Sequence, residues 1–193
     1  MNKHLFLIFW TLISPGCLGL IAAIFSAFKL GWNPGNGMWL LSIAIYLAYW
    51  ILVGILQAGL LFWKFQDKQL SFHWFLQTSI TGFIMMICHD VVLLAMGIEA
   101  VGQGALILLI SLPVLAIFGG PILGFIQFLP MKDYYFLIFQ SNDLQKREIL
   151  WLGISLFSWV IGFGGLMFGY GVFFFVATGT LLKGWFIHKY LQV

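Results

Sequence analysis

Long segments without a charged residue dominate this sequence. Residues 5–28 form one such segment of 24 residues, and residues 149–182 form another of 34. A helix needs about 20 apolar residues to cross the hydrocarbon core of a bilayer, which is about 30 Å thick. The first segment matches one membrane span. The second would make a single helix of about 51 Å, so the sequence predicts two shorter spans joined in the glycine-rich region 162–171, with a re-entrant pair as the alternative.

The composition agrees with a membrane protein. Only 8% of the 193 residues are charged and 62% are hydrophobic, whereas a soluble domain has about 25% charged residues. Disordered chains combine low hydrophobicity with high charge, so that class is excluded. The basic residues stand at the ends of apolar segments and form no patch, which argues against nucleic-acid binding. We expect an all-α protein whose main partner is the lipid bilayer.

The apolar segments predict a bundle of six transmembrane helices in a single domain, residues 1–193. We place these helices at about 5–28, 38–63, 72–96, 104–129, 149–167 and 170–187.

The basic residues predict the orientation of the bundle. With the N terminus inside, the external loops hold only Lys29. The cytoplasmic segments then hold Lys3, Lys64, Lys68, Lys132, Lys146, Arg147, Lys183 and Lys189. Here Lys183 is expected to snorkel from the sixth helix to the interface. Eight basic residues inside against one outside favour a protein with both termini in the cytoplasm. An arrangement of five helices would instead place six basic residues inside and three outside. A bacterial-type inner (plasma) membrane is expected, with the thylakoid membrane as the alternative.

Two regions of the sequence share one order of features. A G-x-x-Q helix end at residues 54–57 is followed by a basic turn and Trp74, and the same motif at 124–127 by a basic turn and Trp151. Both copies run in the same direction, which predicts parallel repeats. A fainter third copy lies at residues 178–182. The hypothesis is three hairpin units, formed by helices 2/3, 4/5 and 6/1.

This pattern resembles small bacterial polytopic membrane proteins in which a G-x-x-Q helix end and a Trp-led helix recur. The resemblance covers Gly54 to about Gly162, and it implies an architecture without implying an activity. Six helices in under 200 residues are also similar to the substrate-binding subunits of energy-coupling importers. The Ala23-x-x-x-Ala27 spacing resembles the small-residue contact helix of those subunits.

Four polar residues are candidates for a pathway or pocket. The amides of Gln57 and Gln127 need partners in hydrocarbon, so they either hold helix hairpins together or line a central pathway. His89 and Asp90 are the one ionisable pair deep in a predicted span. An intramembrane acid suggests a function, and a buried pair would suit a proton or cation pathway. Alternatively, the third helix ends at the external headgroups beside Asp90.

Aromatic residues are concentrated in one segment on the cytoplasmic side, at Tyr134, Tyr135, Phe136 and Phe139. Aromatic side chains favour the headgroup level of a membrane. This segment is expected to lie on the membrane surface, with a docking site for a cytoplasmic partner as the alternative.

The sequence contains no catalytic motif, and we expect no enzyme activity, no cofactor and no metal site. Two functions remain. The first is a transport- or channel-related membrane component that handles a small solute or ion. The second is a non-catalytic structural or assembly subunit of a larger membrane complex. If the candidate polar residues converge on a cavity, transport is favoured; if they are sealed in helix contacts, the subunit is favoured.

Overall fold

The computed structural model describes residues 2–27, 39–95, 119–136, 144–166 and 171–190. Within these ranges the chain forms six helices and no strand, which confirms the predicted all-α class and helix count for this part of the chain. The helices are α1 (Lys3–Ala27), α2 (Trp39–Phe65), α3 (Lys68–Ala95), α4 (Gly120–Phe136), α5 (Leu144–Leu166) and α6 (Gly171–Tyr190).

Three of the helices contain stretches long and apolar enough to cross a membrane. These stretches are Lys3–Ile24 in α1, Ile43–Phe65 in α2 and Lys68–Cys88 in α3. The outward side chains of the bundle include many exposed large apolar residues, as expected for a surface that faces lipid. The protein is therefore consistent with membrane insertion, while six spans and an N-in, C-in orientation stay predictions.

The helices close into a ring. Each helix packs against the next along the chain, and α6 returns to pack against α1. The three predicted hairpin pairs, α2/α3, α4/α5 and α6/α1, are all in contact. The α5/α6 contact is as extensive as these, so packing alone does not divide the ring into three units. The repeat therefore stays a prediction.

A two-residue connection joins α2 to α3. Gln66 adopts a left-handed backbone conformation with φ of 58°, and its N–H donates to the Phe62 carbonyl at 2.8 Å. Asp67 then caps α3, because its Oδ1 accepts a 2.9 Å hydrogen bond from the Leu70 N–H. This cap explains why α3 begins at Lys68 rather than near residue 72 as predicted.

The described part of α4 extends seven residues beyond the predicted end at 129, to Phe136. Pro130 lies inside this helix without ending it. The backbone of Tyr134, Tyr135 and Phe136 therefore belongs to the last turns of α4. The side chains of these three residues, and Phe139 as a whole, lie outside the described residues.

Candidate functional site

Three buried tryptophans form a layer across the ring. Trp10, Trp74 and Trp151 lie six or seven residues after the first residues of α1, α3 and α5, so each is about 10 Å along its helix. The Trp74 ring lies 5.6 Å from the Trp10 ring and 6.1 Å from the Trp151 ring, at interplanar angles of 65° and 66°. These edge-to-face pairs are the favoured aromatic geometry. We call the three residues the tryptophan layer.

The other three helices each supply one buried polar residue at a similar depth. Gln57 lies on α2, Gln127 on α4 and Lys183 on α6, between seven and nine residues before the last residue of each helix. All three are at most 9% exposed. We call them the polar triad. Around the ring, helices that carry a layer tryptophan therefore alternate with helices that carry a triad residue.

Hydrogen bonds join the polar triad to neighbouring helices. Gln57 Oε1 accepts a 3.0 Å bond from the Trp74 indole N–H. Gln127 Nε2 donates to Thr78 Oγ1 at 3.0 Å, and Gln127 Oε1 accepts from the Lys183 ammonium at 3.3 Å. These bonds cross between α2 and α3, between α3 and α4, and between α4 and α6. The triad residues thus both hold the bundle together and face its centre.

A cavity of about 140 Å³ lies at the centre of the ring. The polar triad lines it together with Trp10, Trp74 and Thr78. Most of the remaining lining is aromatic or aliphatic, and includes Tyr49, Trp50, Val53, Leu123, Trp159 and Val176. For scale, an engineered apolar cavity of about 150 Å³ in another protein holds a benzene molecule. The volume therefore suits a small solute.

A tightly packed cluster closes one end of the cavity. On α2, α4 and α6 its members follow the triad residue, and on α1 its member precedes the layer tryptophan, so all of them lie towards the predicted cytoplasmic ends of the helices. They are Phe6, Leu61, Phe128, Met131, Phe186 and Ile187. None of them is exposed. We call this the floor cluster. Together with the tryptophan layer it separates the cavity from the predicted cytoplasmic side.

The glycines of the two G-x-x-Q motifs allow close approach of helices, as glycine does at membrane helix interfaces. A Cβ on Gly54 would collide with Ser79 Oγ, and a Cβ on Gly124 would lie 2.6 Å from Ser155 Oγ. At Gly124 the small residue serves a further contact, because its carbonyl accepts a 2.7 Å hydrogen bond from the Trp151 indole N–H. The motif therefore places α2 against α3 and α4 against α5.

Two indole N–H groups around the cavity are buried and have no hydrogen-bond acceptor among the described residues. They belong to Trp10 and Trp50, and both residues line the cavity. A buried donor without an acceptor costs about 1–3 kcal/mol. Both nitrogens are sealed within the packing around the cavity.

The structure brings two of the candidate residues together and leaves two apart. Gln57 and Gln127 line one cavity. His89 and Asp90 lie on α3, eleven and twelve residues beyond Thr78, which is about 16–18 Å along the helix. Their side chains lie outside the described residues. The helix does not end beside Asp90 but continues to Ala95.

The expectation that Lys183 snorkels to the interface is wrong. Its side chain is buried, its ammonium bonds Gln127, and it lines the cavity. A signal for this position exists in the sequence. Each tryptophan of the layer begins a W-x-x-x-S/T motif, at residues 10–14, 74–78 and 151–155, which indicates three equivalent odd-numbered helices. The helices before the second and third of these carry Gln57 and Gln127, and on the helix that precedes the first around the ring Lys183 is the one charged residue between 149 and 188.

No family model, curated protein or solved structure matches the chain.

Proposed function

We propose that this chain is a transport-related integral membrane protein that binds a small solute in the cavity at the centre of its six helices. The observation that carries the proposal is the convergence of Gln57, Gln127 and Lys183, from three separate helices, on one cavity. Polar residues inside a membrane bundle are costly and usually serve a solute or ion pathway. The cavity volume of about 140 Å³ supplies the space that such a solute needs.

The proposed arrangement has six spans with both termini in the cytoplasm of a bacterial-type cell. Removing Lys183 from the basic residues of the cytoplasmic segments still leaves seven against one outside, which supports this orientation. In that orientation the floor cluster and the tryptophan layer close the cavity towards the cytoplasm. Solute would then enter from the external half of the membrane.

An assembly subunit is the competing function, and one observation favours it. The Gln57 side chain is engaged by Trp74 across the α2/α3 contact, so at least one triad amide contributes to helix packing. The two functions predict different access of solvent to the polar triad. A sealed polar contact excludes water and reagents, whereas a binding cavity on a transport pathway admits them.

Cysteine accessibility tests the proposal directly. In a background where Cys17 and Cys88 are replaced by alanine, Val53→Cys places a thiol in the cavity lining, and Ile55→Cys on the same helix places one on the exposed apolar face. A small charged methanethiosulfonate applied to intact cells should modify Val53→Cys and spare Ile55→Cys. Leu61→Cys in the floor cluster should also be spared. Equal protection of all three thiols would contradict the proposal.

Purification in a mild detergent separates the two functions independently. A transport-related protein should be recovered as a stable particle containing this chain alone, with a small molecule released on unfolding and detected by mass spectrometry. Recovery only with a stoichiometric second membrane protein, and without a bound small molecule, would instead support the assembly subunit.

A further inference from the structure

The charge and size of the cavity indicate what it binds. We infer that the ligand is a small monocarboxylate, whose carboxylate is held by the Lys183 ammonium while its hydrocarbon body occupies the apolar part of the cavity. This inference rests on the proposed function, because it assigns a ligand class to the same cavity.

The Lys183 ammonium is the first reason. Its contacts within the described chain are with neutral groups, the Gln127 Oε1 at 3.3 Å and the Trp151 ring at 5.6 Å. An ammonium has three N–H donors, and Gln127 accepts one of them. None of the described residues that line the cavity is acidic. Since a buried charge requires a partner of opposite sign, an anion in the cavity would complete the site.

Trp10 holds the turn of α6 that carries Lys183. This side chain is fully buried, and its indole nitrogen is sealed within the packing around the cavity. The ring packs directly on α6, where a Cβ on Gly184 would lie 2.6 Å from Trp10 Cδ1. Gly184 follows Lys183 in the chain, so this contact fixes the turn of α6 from which the Lys183 ammonium reaches Gln127 and the cavity.

The rest of the lining argues for a carboxylate with a short hydrocarbon body rather than an inorganic anion. Beyond the triad the cavity is bounded by Val53, Leu123, Trp159 and Val176, which offer contact to apolar atoms. The cavity of about 140 Å³ is close in size to one that holds the six carbons of benzene. A ligand of about six to eight non-hydrogen atoms would fill it.

Butyrate, with six non-hydrogen atoms, is the probe for this inference. Titration of the purified full-length chain in mild detergent, followed by calorimetry and by tryptophan fluorescence, should show saturable binding. Butyramide has the same shape without the charge and should bind at least tenfold more weakly. Lys183→Met should weaken butyrate binding at least tenfold. Lys189→Met is the matched control, because Lys189 is exposed on the same helix, and it should change binding less than twofold.

A second variant covers the case in which Lys183→Met does not fold. Lys183→Gln keeps a side chain that can hydrogen-bond Gln127 and removes the positive charge, and it should weaken butyrate binding at least tenfold while changing butyramide binding less than threefold. No saturable butyrate binding to the natural chain would overturn the inference, as would equal binding of butyrate and butyramide. Neither result would alter the cysteine reactivity of the cavity, so failure of the ligand class and failure of the proposed function can be distinguished.

Discussion

The indole N–H of Trp74 donates a 3.0 Å hydrogen bond to Oε1 of Gln57, and so joins α3 to α2 at the depth of the cavity. Both side chains are buried, at 0% and 5% exposure. Their bond joins two features of the first copy of the repeat, the glutamine at a helix end and the tryptophan that leads the next helix, which lie 17 residues apart. Through this contact the glutamine of the first G-x-x-Q motif holds Trp74 in place beside the cavity.

Replacing Gln57 with leucine should destabilise the protein, because the buried Trp74 N–H would lose its acceptor. We expect the free energy of unfolding to fall by about 1–2 kcal/mol, measured by titration with sodium dodecyl sulfate in mixed micelles. Gln69→Leu on the exposed face of α3 is the control and should have little effect. A double-mutant cycle with Trp74→Phe should give a coupling energy near 0.6–2 kcal/mol. A coupling energy of zero would show that the bond contributes nothing to stability.

Alanine substitutions at the two glycines of α2 are expected to have different effects on stability. Gly54→Ala should lower the free energy of unfolding by about 1–3 kcal/mol through overpacking, because the added methyl group would collide with Ser79 Oγ. A Cβ on Gly59 meets nothing within 4 Å, so Gly59→Ala should be neutral or stabilise the helix by up to about 1 kcal/mol. The same titration measures both variants. Equal effects of the two substitutions would contradict the proposed close approach of α2 and α3.

The sequence was sufficient for the helix class, because charge-free length reports directly on membrane helices. It did not predict the inward orientation of Lys183. A soluble helix shows its buried face by apolar residues that recur every three or four positions, whereas a helix in lipid is apolar on nearly every side, so hydropathy cannot show which way a single lysine points. Hydropathy leaves snorkelling and central burial equally compatible, and the W-x-x-x-S/T spacing is the one sequence signal that favours burial.

The sequence predicted that the last helix meets the first, but not which residues make the contact. The Thr180 hydroxyl lies within hydrogen-bond distance of the Thr11 carbonyl, at 3.0 Å, across 169 positions, and Trp10 packs on Gly184. Such contacts follow from closure of the ring and not from any local pattern. As a consequence, Trp10 was not among the candidate residues, although its equivalents Trp74 and Trp151 were part of the repeat.

The cap of α3 gives a prediction outside the membrane core. Asp67→Ala should lower the free energy of unfolding by about 0.5–2 kcal/mol, because the Leu70 N–H would lose its side-chain acceptor at 2.9 Å. Asp67→Asn keeps an acceptor oxygen and should recover most of the loss. If the asparagine variant is as unstable as the alanine variant, the negative charge rather than the hydrogen bond would be the source of stability.

The orientation of the bundle can be measured with two further cysteine variants in the background without Cys17 and Cys88. Asn36→Cys lies in the predicted external loop, and Gln69→Cys lies exposed at the start of α3 on the predicted cytoplasmic side. A membrane-impermeant maleimide should label the first in intact cells and the second only after the cells are permeabilised, as the excess of basic residues inside requires. The reverse pattern would place the floor cluster on the external side. Solute would then enter from the cytoplasm, and the accessibility of Val53→Cys would depend on permeabilisation in the same way.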